Sequence, residues 1–314
     1  MKILILGGTK FIGDALVKKL IKNKLNKIDI LSKKKTKVKN INKQFLSKLE
    51  NKLFKKKKTY DLIIDFISKN KSQIISIKKN FNFKSYVYIS TIWIDKKKKY
   101  NNFNSKNYNS QFLPKITRNY IDYKVKLEKI IKKEFGNKIK ILRLPIIFGI
   151  KSPRIQYYID RIFLNKQIIQ SKNFYRTHIS YCDLPALIDF LANFIKYTNK
   201  YKKQIYYVIT GTISMSRFIS LISKKLKLDV KIFIYDKIFL LKKKYLFNDP
   251  FINEYKMSFL GKNLIKLKPK INIKSLISKN FINIKNLDIR KKLILKEVTF
   301  TKNYKTNEIE IFNK

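Results

Sequence analysis

The sequence predicts an α/β fold: a doubly wound parallel sheet with a smaller C-terminal lobe. Three observations predict it. Ile3 to Leu6 is a continuous apolar run of the kind shown by a strand covered on both faces. That run breaks into Gly7 and Gly8, and after Gly13 the apolar residues Leu16, Val17, Leu20 and Ile21 recur at helical spacing. Further apolar runs then alternate with helical patterns at the interval expected of βαβ units.

Taken in order, Met1 to Gly13 reads as strand, glycine turn and helix start. The chain holds only seven glycines in 314 residues, and three of them fall within these seven positions, 7 to 13. Such a turn lets main-chain N–H groups and the helix dipole face a pyrophosphate with no side chain in the way. Lys10 stands where the usual glycine fingerprint has its middle glycine, so a tight turn without a ligand is the competing reading. Lys27–Leu31 is a second strand, followed by Ser32 and Lys33. Basic residues at this strand end suit a 2′-phosphate, whereas an acidic residue would suit a free ribose, so the pair leans slightly toward NADP. Residues 36–58 are lysine-rich and weakly periodic, with a short helix expected over Phe45–Leu53.

Tyr60–Phe66 is the next buried strand, Ile74–Ile77 lie in the helix after it, and Ser85–Trp93 form a fourth strand ending in hydroxyl residues. Lys96 to about Arg118 is expected to be a long substrate-side loop. Tyr120 to Glu128 opens a helix ending near Gly136, and Lys138–Gly149 is a strand and its exit. A helix over Tyr157–Leu164 leads away from the sheet. Arg176–Asp183 is expected to return to it, with Asp183 capping a helix over Leu184–Phe194. Gln204–Gly211 is a late strand and Ser216–Leu226 a helix. Residues 1–150, with 176–211 returning to the sheet, are therefore assigned to the sheet domain, and 151–175 with 212–314 to the smaller lobe. No internal repeat is evident.

Lysine and arginine number 73 against 20 acidic residues, a net charge of +53. The excess runs through the whole chain alongside abundant Ile and Asn, which points to a coding bias, though polyanion binding at low salt follows from charge alone. Apolar residues at 45% and aromatics at 14% argue for a packed core. Cys182 and His178 are the single cysteine and histidine, which excludes a disulfide framework and a Cys/His metal cluster. His178 reads as structural. The expectation is a cytoplasmic protein with no bound metal, no membrane-spanning segment and scope to form a homodimer.

Tyr120 and Lys124 stand four apart, on one helical face. An ammonium near a phenol stabilises phenolate and makes a tyrosine a usable acid/base. In so lysine-rich a chain the spacing alone is weak, and its weight comes from lying downstream of the glycine turn and the strand-end hydroxyl of Thr91.

In this order, Gly7-Gly-Thr-Lys-Phe-Ile-Gly13, Tyr60-Asp-Leu-Ile-Ile-Asp65, Val87-Tyr-Ile-Ser-Thr91, Tyr120-x-x-x-Lys124 and Arg143-Leu-Pro-x-x-Phe-Gly149 resemble the extended or atypical short-chain dehydrogenase/reductases, the NAD-dependent epimerase/dehydratase family. The resemblance implies a Rossmann-type fold binding NAD or NADP through Gly7, Gly8, Thr9, Lys10, Phe11, Ile12, Gly13, Ser32, Lys33 and Lys124. It also implies Thr91, Tyr120 and Lys124 as the catalytic set, moving a hydride between nicotinamide and a carbonyl or hydroxyl of a small substrate, a nucleotide sugar among the candidates. Ile92 and Trp93 replace the Asp-Glu pair of the family's dehydratases, which favours a reductase or epimerase. The chloroplast stem-loop RNA-binding proteins resemble the same opening and supply an alternative from another class. A cofactor-binding protein without turnover is a third.

Overall fold

The computed structural model describes residues 1–49, 54–94, 115–150, 152–165, 167–171, 178–236, 239–240, 263–273, 275, 277 and 309–312. Its centre is an eight-stranded sheet. The strands are β1 (Lys2–Leu6), β2 (Lys27–Ser32), β3 (Lys43–Leu46), β4 (Lys58–Asp65), β5 (Phe81–Thr91), β6 (Ile139–Leu144), β10 (Ile205–Ile209) and β13 (Leu264–Lys266). They lie in the order β13-β10-β6-β5-β4-β1-β2-β3, and every neighbouring pair runs parallel.

The alternation of side chains along a strand explains the two helical layers. On β1, Ile3 and Ile5 point to the face covered by α1 (Phe11–Leu20) and α5 (Leu184–Lys196), with Leu16, Val17, Leu187 and Leu191 in the same apolar cluster. Leu4 and Leu6 point to the other face, under α2 (Lys71–Asn80) and α3 (Lys115–Phe135), and cluster with Ile74, Ile77, Leu127 and Ile131. All four β1 residues are fully buried, so the continuous apolar run is what a doubly covered strand requires.

A third cluster is built from β7 (Ile146–Phe148), α4 (Pro153–Asn165), β8 (Gln167–Ser171), β9 (His178–Asp183), β11 (Gly211–Ser214), α6 (Met215–Leu226) and β12 (Val230–Tyr235). β7, β9 and β11 form one three-stranded sheet, and β8, β12 and β14 (Ile309–Phe312) another.

Several expectations are corrected here. The stretch expected as a helix from Phe45 begins instead in β3, an edge strand pairing Asp29–Ser32 with Lys43–Leu46, while 50–53 lie outside the described residues. Of the 176–211 segment expected to return to the sheet, Ile205–Ile209 joins it as β10. His178–Asp183 pairs instead with β7 and β11, since β10 takes the outer edge of β6. Leu264–Lys266, expected in the lobe, adds an edge strand to the large sheet. Asp183 is the N-cap of α5 but makes no side-chain cap; its Oδ2 accepts from the backbone N–H groups of Lys270 and Ile271 at 2.6 and 3.0 Å. His178 sits exposed at the start of β9. The expected loop from Lys96 lies outside the described residues up to 114, and 115–118 already belong to α3.

Candidate active site

The glycine turn sits between β1 and α1. Gly7 has φ +93°, in the region that favours glycine, and a Cβ there would lie 2.3 Å from Ile67 Cγ2. Gly13, in the first turn of α1, is pressed on the loop: its Cβ would lie 2.4 Å from the Gly7 carbonyl oxygen. Lys10 is the N-cap and offers no capping side chain, so the first-turn N–H groups have no side-chain partner of the usual kind. Helix N-terminus, missing cap and stripped side chains together leave main-chain N–H groups that could face an anion.

The opposite wall comes from the carboxyl ends of β4 and β5 and from α3. A cavity of about 500 Å³ is lined by Gly7, Lys10, Phe11, Ile12 and Gly13 on one side and by Ser90, Thr91, Trp93, Tyr120 and Lys124 on the other. Phe66, Ile67 and the segment Leu144–Ile147 close its sides, with Ser152 contributing from beyond.

Lys124 is 6% exposed. Its Nζ donates to the Tyr88 hydroxyl at 2.8 Å and to the Ile89 carbonyl at 2.9 Å, and stands 6.0 Å from the centroid of the Tyr120 ring. Burial lowers its pKa to about 8, against the opposing pull of the Asp65 and Glu128 carboxylates. Thr91 Oγ1 accepts from the Trp93 N–H at 3.3 Å, which leaves its own hydroxyl proton to donate. Trp93 meets the Tyr120 ring edge to face, at 5.5 Å between centroids and 76° between planes. Behind Lys124, Glu128 receives Arg143 through two N–H···O bonds of 3.1 and 2.7 Å. Arg143 also donates to the Tyr207 hydroxyl at 2.6 Å. That buried pair ties α3 to the sheet and fixes the helix carrying Tyr120 and Lys124.

Eight of the residues singled out in the sequence thus line one cavity: Gly7, Lys10, Phe11, Ile12, Gly13, Thr91, Tyr120 and Lys124. Four do not. Gly8 lies beneath α1, where a Cβ would meet Val17, Ile5 and Ile30 at 3.0 to 3.3 Å, so it serves the helix–sheet contact. Thr9 and Lys33 are not among the lining residues. Ser32 is 3% exposed, and its hydroxyl donates to the Lys34 carbonyl and accepts from Gln44 Nε2, so it closes the loop after β2. Ser90, at the same strand end as Thr91, lines the cavity as its position suggests, whereas nothing in the sequence marked Trp93, Phe66, Ile67 or the Leu144–Ile147 wall as lining. Each lies at or just past the carboxyl end of a strand, and the Pro145 break marks one of these ends.

The family model of a polysaccharide biosynthesis protein matches residues 3–90. No curated protein matches the sequence. Among solved structures, the chain is similar to UDP-glucuronic acid 4-epimerase from Bacillus cereus, determined with UDP-glucuronic acid and NAD. The TM-score is 0.61 and the identity 13%, over 91% of this chain and 100% of that one. It is also similar to UDP-glucose 4-epimerase from Thermus thermophilus in complex with NAD, with TM-score 0.56 and 11% identity over 91% and 99%. The third is ADP-L-glycero-D-manno-heptose-6-epimerase from Helicobacter pylori, with TM-score 0.54 and 14% identity over 91% and 96%.

The likeness shows that the chain shares the Rossmann-type α/β fold of these epimerases. In that fold the cavity lies where Rossmann-type sheets take ligands, outside the carboxyl ends of β1, β4 and β5. Among the described residues no helix is long and apolar enough to cross a membrane, and no group of three or more His, Cys, Asp or Glu could hold a metal ion.

Proposed function

We propose that the chain is a nicotinamide-dependent, epimerase-type enzyme acting on a nucleotide sugar. The single observation that carries this is that Thr91, Tyr120 and Lys124 share one cavity with the glycine cradle. A nicotinamide dinucleotide, when bound, supplies reversible hydride exchange at a carbinol or carbonyl carbon. Gly7, Gly13 and the first turn of α1 would hold its pyrophosphate, and Lys124 its ribose. Tyr120 takes the proton from a substrate hydroxyl as the carbonyl forms and returns it when the opposite face is reduced. Thr91 donates to the same oxygen. The charge of Lys124 favours the phenolate form of Tyr120.

The UDP-sugar and ADP-sugar epimerase names of the similar structures support a nucleotide sugar as the substrate class. The NAD in two of them supports NAD as the cofactor. The side chain of Ser32, taken up within its own loop, lends the NADP lean no help. The comparisons give the RNA-binding alternative no support. The reading extends to a homodimer, to a substrate lobe built on the two three-stranded sheets beside the eight-stranded one, to a cytoplasmic setting, and to salt-sensitive polyanion binding by the lysine excess.

The test is titration calorimetry with NAD and NADP, followed by chromatography of UDP- and ADP-sugars incubated with the protein. Tyr120→Phe is expected to lower turnover by about 10²-fold or more while leaving cofactor affinity within a few-fold. No binding of either dinucleotide, or full activity in Tyr120→Phe, would refute the assignment.

A further inference from the structure

We infer that Tyr88, backed by Asp65, is a positioning residue for Lys124: its neutral phenol holds the ammonium charged inside a buried site and so sets the pH at which that site works. The inference rests on the proposed role of Lys124. Lys124 has three N–H donors, and two of them are taken by the Tyr88 hydroxyl and the Ile89 carbonyl. One remains for a ligand in the cavity that Lys124 lines. Tyr88 is fully buried and its hydroxyl donates in turn to the Ser68 carbonyl at 3.4 Å, so its oxygen is turned to accept. The Lys124 ammonium also lies 4.4 Å from the centroid of the Tyr88 ring.

The segment carrying Ser68 is itself fixed by Asp65, directly across from Tyr88 in the β4–β5 register. Asp65 Oδ1 accepts from the N–H groups of Ile67 and Ser68 at 2.8 and 2.9 Å, and its Oδ2 accepts from the Tyr86 hydroxyl. Burial, followed by the Asp65 charge, pushes the Tyr88 phenol well above its ordinary range, so it stays protonated wherever the lysine titrates. The groups facing Lys124 are Asp65 from β4, Lys69 from the segment after it, Tyr88 from β5, and Tyr120, Tyr123 and Glu128 from α3. Glu128 is already committed to Arg143, which leaves Tyr88 as the direct acceptor from a side chain.

Removing an acceptor from an ammonium favours the neutral amine, so the lysine then loses its proton at lower pH. The experiment is competitive acetylation of the full-length apo protein with acetic anhydride across pH 6 to 11, read at Lys124 by peptide mass spectrometry. The midpoint is expected near 8 in the parent protein. It is expected to fall by about one unit in Tyr88→Phe, to fall likewise in Asp65→Asn, which removes the opposite charge, and to stay put in Tyr123→Phe. An unchanged midpoint in Tyr88→Phe, whatever Asp65→Asn does, would overturn the inference. Because no cofactor or substrate is present, a failure to bind NAD leaves this measurement intact. With an active enzyme, the alkaline limb of the kcat/KM profile should move down by the same interval in Tyr88→Phe.

Discussion

The contact between Gly13 and the turn at Gly7 can be tested by a single methyl group. In Gly13→Ala the new Cβ would sit 2.4 Å from Gly7 O, 3.1 Å from Gly8 Cα and 3.2 Å from Gly7 C, where ordinary contact begins near 3.4 Å. All three neighbours are backbone, so no side chain can swing aside, and α1 must move away from the turn by about 1 Å. Overpacking of this kind costs up to about 3 kcal/mol. Alanine returns about 1 kcal/mol of helix propensity, which leaves a net loss of about 2 kcal/mol. With an m-value of about 3 kcal/mol/M the urea midpoint should fall by roughly 0.7 M. The same displacement spoils the cradle, so NAD affinity measured by calorimetry should fall at least tenfold. Gly136→Ala is the control. Its φ is +57° and no atom lies within 4 Å of its Cβ, so the cost is the left-handed backbone alone, about 1 to 2 kcal/mol, with NAD affinity intact. Parent-like NAD affinity in Gly13→Ala, or an equal loss in Gly136→Ala, would refute the reasoning.

Glu128→Gln should lower the unfolding free energy by about 3 to 5 kcal/mol, because it leaves the 5%-exposed Arg143 guanidinium buried without its counter-charge; a urea-unfolding difference below about 1 kcal/mol would show that the pair is dispensable. Cys182 is fully buried and burial pushes its thiol up to about 12, so iodoacetamide at pH 8 should label it in urea and leave the native protein unlabelled. Labelling of the native protein at the denatured rate would contradict the packing of β9 against α5.

The sheet and its helices were legible because their signals are local. The Ile3–Leu6 run, the break at Gly7 and the helical spacing of Leu16, Val17 and Leu20 all fall within twenty residues. What escaped the sequence depends on distant partners. β3 is only four residues long and lies at the sheet edge with Lys43 and Leu46 exposed, so no alternation marked it. β8 becomes a strand through its pairing with β12, about sixty residues further on. Asp183 carries the signature of a helix cap, yet two N–H groups from Lys270 and Ile271 outcompete the cap for its oxygen. Ser32 shows the same limit at the site. Its position after β2 suggested a ligand contact, while Gln44, twelve residues away, had already claimed its hydroxyl.

The lysines make the sharpest case for what structure adds. In a chain of net charge +53, a tyrosine with a lysine four residues later carries little information, and most such lysines project into water. Those in the visible ion pairs behave that way: Lys18, Lys19, Lys78, Lys84 and Lys270 keep about half or more of their side-chain surface exposed. Pairs of that kind contribute little to stability. Lys124 is different in kind, since a buried ammonium costs free energy unless acceptors are built for it. The fold supplies the Tyr88 hydroxyl and the Ile89 carbonyl, and places Asp65 behind them. A site lysine is therefore recognised here by the acceptors assembled around it, which spacing along the helix cannot reveal.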